Sequence, residues 1–158
     1  MRRWIALAAL VLVCDQFTKF VLVPVVSAGP VEITPFFNLV LAQNRGAAFS
    51  FLADASGWQR ELFIAVAVIA AVWIIYLLRR HSTEALFCGA LSLILGGAIG
   101  NLIDRLHLGA VLDFFDFHVL GYHWPAFNIA DSAITIGAVL LIWHSLGPRS
   151  GGGVSGKR

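Results

Sequence analysis

Four long apolar stretches dominate this sequence, and each is about as long as a lipid bilayer is thick. They cover residues 4–22, 62–78, 85–103 and 126–143. An α-helix rises about 1.5 Å per residue, so roughly 20 apolar residues cross the hydrocarbon core of a membrane. Backbone N–H and C=O groups cannot stay unpaired in lipid, so such stretches have to be helical there. The sequence therefore predicts an all-α membrane protein with four transmembrane helices.

The composition supports a membrane protein and excludes several other classes. Charged residues make up 13% of the chain and hydrophobic residues 59%, whereas about a quarter of the residues of a soluble domain are charged. We expect one domain at residues 1–146 and a disordered cytoplasmic tail at 147–158, which is rich in glycine and basic residues. The chain shows no nucleic-acid motif, no metal-ligand spacing of His or Cys, and no sign of a cofactor or an obligate protein partner.

The segment between the first two apolar stretches has a different amino-acid composition. Residues 23–58 contain Pro24, Pro30 and Pro35, which interrupt helices, together with many β-branched and aromatic residues. This pattern predicts a small extramembrane β-sheet segment between helices 1 and 2. Another proline, Pro125, suits the first turn of the fourth helix, where its missing N–H is no loss.

The basic residues predict which way the helices cross the membrane. Seven of the eleven lysines and arginines fall on one side of a four-span arrangement, namely Arg2, Arg3, Arg79, Arg80, Arg149, Lys157 and Arg158. Cytoplasmic loops carry an excess of such residues. Both termini are therefore expected in the cytoplasm, with residues 23–58 and the 105–125 segment on the outer side.

Carboxylates are concentrated where the third and fourth stretches approach the outer side. Residues 96–135 contain Asp104, Asp113, Asp116 and Asp131, four of the nine acidic residues. An ionisable group at the edge of hydrocarbon is a candidate functional residue. We single out Asp113, expected in a loop after the third helix, and Asp131, expected one to two turns into the fourth. Two carboxyls in a partly dry site share a proton, so one can take a proton from water while the other polarises a scissile carbonyl.

Polar residues near this pair predict a supporting network. Asn128 precedes Asp131 by three residues, which places both side chains on one helix face. Asn101 and Arg105 are one turn apart at the end of the third helix and offer a second polar face at similar depth.

Two further spacings concern how the helices are held together. Asp15 and Lys19, four residues apart in the first helix, can form an ion pair. Gly96 and Gly100 have the GxxxG spacing that lets a neighbouring helix approach closely.

Other interpretations of the carboxylates remain open at this point. They could be buried groups neutralised by Arg105 or Lys19 in a non-catalytic assembly factor. They could also relay protons in a small transporter, although a conduit needs ionisable groups across the whole bilayer and the inner halves of these stretches have none.

Five sequence blocks resemble, in order, the signature blocks of the lipoprotein signal peptidases, also called signal peptidase II. The blocks are DQFTK (15–19), NRGAAFSF (44–51), GGAIGNLIDR (96–105), VLDFFDF (111–117) and FNIADSAI (127–134). With the four-span outline they cover nearly the whole chain. One departure is Leu112, where the family more often has valine before the catalytic aspartate.

The resemblance implies an aspartic endopeptidase of the bacterial inner membrane with its active site at the periplasmic face. Its substrates would be prolipoproteins that carry diacylglycerol, cleaved before the lipidated lipobox cysteine, and it would contact membrane lipid and globomycin-type inhibitors. The family's catalytic pair falls on Asp113 and Asp131. Its supporting residues fall on Asp15, Lys19, Asn44, Gly46, Asn101, Arg105 and Asn128.

Overall fold

Four long helices form the body of the protein. The computed structural model describes residues 1–46 and 57–146. The helices are α1 (Arg2–Val26), α2 (Gln59–Arg80), α3 (Ala85–Leu108) and α4 (Ile129–Leu146). All four are long and apolar enough to cross a membrane, which confirms the predicted four-span architecture. The tail expected to be disordered, 147–158, and part of the NRGAAFSF block lie outside the described residues.

Helix α3 lies at the centre of the bundle and packs against the other three. Half of its apolar stretch is buried, against 17% or less for each of the others. Its core contacts join α1, α2 and α3 through Ala8, Ile74, Leu78, Cys88, Leu91 and Leu95. The outer faces instead expose large apolar side chains such as Phe20, Ile69 and Trp143. Exposed apolar surface of this extent marks a face that meets lipid or a partner, and the hydropathy of the helices favours lipid.

The glycines of α3 allow the close helix packing that their spacing predicts. A Cβ added at Gly96 would lie 2.5 Å from the carbonyl oxygen of Ala8 on α1. One added at Gly97 would meet the carbonyl oxygen of Ala130 on α4. Since no side chain fits at either position, α1 and α4 approach the backbone of α3 directly.

A four-stranded antiparallel sheet lies at one end of the bundle. Its strands are β1 (Val31–Thr34), β2 (Phe37–Asn44), β3 (Val111–Val119) and β4 (Tyr122–His123), in the order β1-β2-β3-β4. The sheet predicted between helices 1 and 2 is confirmed. The segment between α3 and α4 adds two more strands to this sheet, β3 and β4, and β3 pairs with β2.

Several predicted helix boundaries differ from the observed ones, and three of the differences have a clear physical cause. Helix α1 continues past Pro24 to Val26, because the fixed φ of proline fits a helix and only one N–H is missing near its end. Helix α3 runs beyond residue 103 to Leu108, where Gly109 ends it in the left-handed conformation at φ 76°.

The third error is the start of α4, which begins at Ile129 instead of Pro125 or its neighbour. The preceding backbone is engaged elsewhere, since Phe127 forms a bridge with Phe115 of β3. A backbone that pairs with a strand cannot also form the first turn of a helix.

Candidate active site

Asp113 lies within strand β3, and the prediction of a loop is wrong. Its side chain is 2% exposed, and its backbone pairs opposite Ala42 of β2. Aspartate is unfavourable in strands, so the local sequence gives little sign of one here. Pairing with a strand some 70 residues earlier in the chain overrides that local preference.

Asp131 lies in the first turn of α4, closer to the helix start than predicted. Its backbone N–H donates to Oδ1 of Asn128 at 2.8 Å, which makes Asn128 a side-chain cap of the helix. The free N–H groups at this helix end also favour a carboxylate. Asn128 therefore precedes the helix and does not share a helical face with Asp131.

Asn128 also contacts the other aspartate. Its Nδ2 donates to Oδ1 of Asp113 at 2.7 Å, and the side chain is 1% exposed. On the other side of the pair, Nδ2 of Asn101 donates to Oδ1 of Asp131 at 2.8 Å. One buried amide thus holds Asp113 at the start of the helix that carries Asp131.

The end of β2 completes the surroundings of Asp113. Nδ2 of Asn44 donates to Oδ2 of Asp113 at 3.3 Å, and Oδ1 of Asn44 accepts from the N–H of Gly46 at 3.0 Å. Nη2 of Arg105 donates to the carbonyl oxygen of Gly46 at 2.9 Å. Arg105 therefore supports the turn that orients Asn44.

The environment of Asp113 favours its protonated form. Burial raises the pKa of Asp113 to about 7, with the charge of Asp131 and a hydrogen bond between the two carboxyls as further causes. The amides of Asn44 and Asn128 act in the opposite direction because they donate to the carboxylate. In the described part of the chain no Lys, Arg or His nitrogen lies within 4.0 Å of either carboxylate, so neither Arg105 nor Lys19 neutralises the pair by direct contact.

A largely apolar cleft of about 440 Å³ opens beside Asp131. Asp131 and Asn44 supply polar groups to its wall, and most of the rest is apolar, including Trp124, Phe127, Ile134 and Ile136. Asp131 is half-buried and reaches the cleft, whereas Asp113 lies behind it. A molecule in this cleft would therefore meet Asp131 first, backed by a buried carboxyl whose pKa is raised.

Comparison with known proteins assigns the chain to a family. A sequence model of the family described as "Signal peptidase (SPase) II" matches residues 7–147. This chain belongs to the signal peptidase II family. Family membership makes it a peptidase, and it favours a hydrolase over the transporter and assembly-factor interpretations.

Relatives and solved structures agree with this assignment. A relative from Paraburkholderia phymatum, named lipoprotein signal peptidase, is 60% identical over 144 residues, which are 90% of this chain and 87% of the relative. One of the same name from Cupriavidus necator is 59% identical, over 90% of this chain and 82% of the relative. A solved bacterial membrane enzyme superposes with a TM-score of 0.82 at 34% identity, over 92% of this chain and 88% of the other. A second has the same TM-score at 32% identity, over 94% and 96%.

In this signal peptidase II, Asp15 and Lys19 lie in a second cluster beside the aspartate pair. Nζ of Lys19 lies 2.7 Å from Oδ2 of Asp15, which confirms the predicted ion pair, and 2.7 Å from Oδ2 of Asp104. Of the predicted site residues, Asn44, Gly46, Asn101, Arg105 and Asn128 surround Asp113 and Asp131, while Asp15 and Lys19 do not contact either carboxylate. Sequence reasoning did not place Asp104 in the site. Its position as an ionisable residue within an apolar helix is the signal that could have identified it.

Proposed function

We propose that this signal peptidase II is an aspartic endopeptidase in which Asp113 and Asp131 are the catalytic pair. The observation that carries the proposal is a chain of hydrogen bonds through Asn128 and Asn101 that joins the two carboxyl groups at an apolar cleft. Burial and the charge of Asp131 both favour a proton on Asp113, so the two carboxyls can share one proton, as an acid–base pair requires.

The two aspartates take different roles because their surroundings differ. Asp113, with its pKa raised to about 7, holds a proton and donates it to the oxygen of the scissile carbonyl. Asp131, at the cleft wall, accepts a proton from a water molecule as the water oxygen attacks the carbonyl carbon.

The second half of the reaction returns both carboxyls to their starting states. Asp131 passes its proton to the amide nitrogen as the C–N bond breaks and the amine leaves. Asp113 regains a proton from a hydroxyl of the tetrahedral intermediate as the new carboxyl group forms. Water is consumed, and the reaction draws on the two carboxyls alone.

The substrates we propose are prolipoproteins that carry diacylglycerol, cleaved before the lipidated cysteine. Two observations support this choice: the relatives are named lipoprotein signal peptidases, and the apolar wall of the cleft suits acyl chains or an apolar peptide. Acyl chains held in the bilayer fix the scissile bond at the depth of the helix ends. Globomycin-type inhibitors and membrane lipid would enter the same cleft.

The orientation we propose places the chain in the bacterial inner membrane with both termini in the cytoplasm. The basic residues at the start of α1 and the end of α2 support it. The sheet and the aspartate pair lie at the opposite helix ends, so they would face the periplasm.

The test replaces each aspartate by asparagine and measures cleavage of a diacylated lipobox peptide by the purified protein. Asp113→Asn and Asp131→Asn should each lower kcat roughly 10²–10⁴-fold, the usual contribution of a proton-transfer group. Asp116→Asn is the matched control, since Asp116 lies on β3 but bonds to His123 and Asn38; it should cleave normally. Near wild-type cleavage by either of the first two variants would show that its aspartate is not catalytic.

A further inference from the structure

A buried ion cluster beside the aspartate pair takes no part in the proposed proton transfers. It consists of Asp15 and Lys19 on α1 and Asp104 on α3, with exposures of 0%, 5% and 4%. Both carboxylates lie 2.7 Å from Nζ of Lys19. Breaking such a buried cluster is strongly destabilising, and charged residues inside a membrane usually serve function.

Each carboxylate of the cluster accepts a backbone N–H from the residue immediately before a catalytic aspartate. Oδ1 of Asp15 accepts from the N–H of Ala130 at 3.0 Å, and Ala130 precedes Asp131. Oδ2 of Asp104 accepts from the N–H of Leu112 at 3.2 Å, and Leu112 precedes Asp113. The same geometry therefore occurs twice, once at α4 and once at β3.

We propose that Asp15, Lys19 and Asp104 form a positioning clamp that sets the separation between Asp113 and Asp131. The ammonium group of Lys19 holds the two carboxylates together, and each carboxylate fixes the backbone beside one aspartate. These three residues touch neither the cleft nor the reacting groups, so they act through the backbone. The inference rests on the proposed catalytic role of the aspartate pair.

Two neighbours keep the clamp in place. Nε2 of Gln16 donates to Oδ1 of Asp104 and to Oδ2 of Asp15, each at 3.1 Å. Gly100 leaves room for the carboxylate, because a Cβ there would lie 2.5 Å from Oδ2 of Asp15. The carboxylates are thus restrained by hydrogen bonds and by close packing.

A clamp of this kind should act on kcat and leave KM unchanged. A misplacement of about 1 Å between reacting groups can lower the rate on the order of 100-fold. Substrate binding depends on the cleft, which the clamp residues do not line. A residue that only stabilised the fold would instead lower the amount of active enzyme and leave kcat per folded molecule unchanged.

The test compares two substitutions at Asp104. In Asp104→Asn the remaining oxygen can still accept from Lys19 and Leu112, and only the bond from Gln16 is lost. In Asp104→Leu every one of these bonds is lost. We expect the asparagine variant to keep kcat within about threefold, and the leucine variant to lose about 10- to 100-fold with KM unchanged.

Equal kcat values for the two Asp104 variants, corrected for the amount of folded protein, would show that Asp104 does not position the aspartate pair. Folded protein is measured by thermal unfolding, with Leu95→Ala in the α1–α3 core as a variant that loses stability away from the clamp. This outcome is distinct from failure of the proposed function, which shows as cleavage by Asp113→Asn or Asp131→Asn.

A milder pair of substitutions covers the case in which Asp104→Leu does not fold. Gly100→Ala adds a methyl group against Asp15, whereas Gly89→Ala adds one on the same helix, 3.7 Å from the ring of Trp4. Gly100→Ala should lower kcat at least about tenfold with KM unchanged, and Gly89→Ala should behave as wild type. A normal kcat for Gly100→Ala would also overturn the inference.

Discussion

Replacing Asp113 by asparagine should stabilise the folded protein at alkaline pH while it lowers kcat roughly 10²–10⁴-fold. The pKa of this buried carboxyl is about 7, against an ordinary value of 3.8. Between these two pH values the folded protein holds a proton that the unfolded chain has released. The Asp113 carboxyl therefore lowers the stability of the wild type as pH rises through this window, and the asparagine variant lacks this contribution.

The size of the effect follows from the difference between the two pKa values. Ionisation of the Asp113 carboxyl lowers the free energy of unfolding of the wild type by on the order of 4 kcal/mol at pH 8, and by less than about 1 kcal/mol at pH 4. Asparagine offsets part of the gain, because its NH₂ group meets the amide of Asn44 or Asn128, and one lost hydrogen bond costs about 1–2 kcal/mol. The net stabilisation at pH 8 is then about 2–3 kcal/mol, or roughly 5–10 °C in Tm for a chain of this length.

Thermal unfolding of the purified protein in detergent, followed by circular dichroism at pH 4, 6 and 8, measures this difference. Glu32→Gln is the control, since Glu32 is an exposed carboxylate on β1, and its Tm should match that of wild type at each pH. A difference between Asp113→Asn and wild type that does not grow with pH would refute the reasoning. It would mean that burial beside Asp131 does not raise the pKa of Asp113.

Four further predictions follow from the same structure. The kcat/KM for cleavage should fall as pH rises above about 7, because Asp113 loses the proton that polarises the carbonyl; a profile flat to alkaline pH would contradict its role as the acid. A lipobox peptide without diacylglycerol should have a much lower kcat/KM than the lipidated peptide in the same detergent, because the acyl chains place the scissile bond; equal values would mean that the enzyme recognises the peptide alone. Single cysteines at Ser82 and Glu32, in a cysteine-free background, should react with impermeant reagents from the cytoplasmic and outer sides respectively, and labelling of both from one side would exclude the four-span orientation. Gly97→Ala should lower Tm, because its methyl group meets the backbone of Ala130 and overpacking costs about 1–3 kcal/mol; an unchanged Tm would show that α3 and α4 can separate.

Much of the candidate site could be predicted from the sequence, for reasons that differ between residues. The ion pair of Asp15 and Lys19 follows from helical spacing alone, and the structure contains it. The role of Asn128 could not be predicted in this way. Its amide reaches Asp113, 15 positions away in the chain, because β3 and α4 meet, and no local pattern encodes that meeting.

The boundaries of the helix and the strand near the site also could not be predicted from the local sequence. The sequence around Pro125 favours a helix start, yet α4 begins at Ile129 because the backbone at Phe127 pairs with β3. The sequence around Asp113 favours a loop, yet it forms a strand because β2 lies beside it. In both places a tertiary hydrogen bond replaces a weak local preference.

The sequence by itself determined the four spans, the sheet between α1 and α2, and the residue types available for chemistry. These properties follow from hydropathy and from short spacings between residues. Both act within one stretch of chain, because apolar stretches of sufficient length span the bilayer and residues one turn apart share a helix face. Only the tertiary structure decided that the amides of Asn128 and Asn101 link Asp113 to Asp131. It also decided that Lys19 on α1 joins Asp15 to Asp104, which is 89 positions from Asp15 in the chain. The reason is that carboxylates are brought together by packing between elements distant in sequence, here across glycines that let α1, α3 and α4 touch.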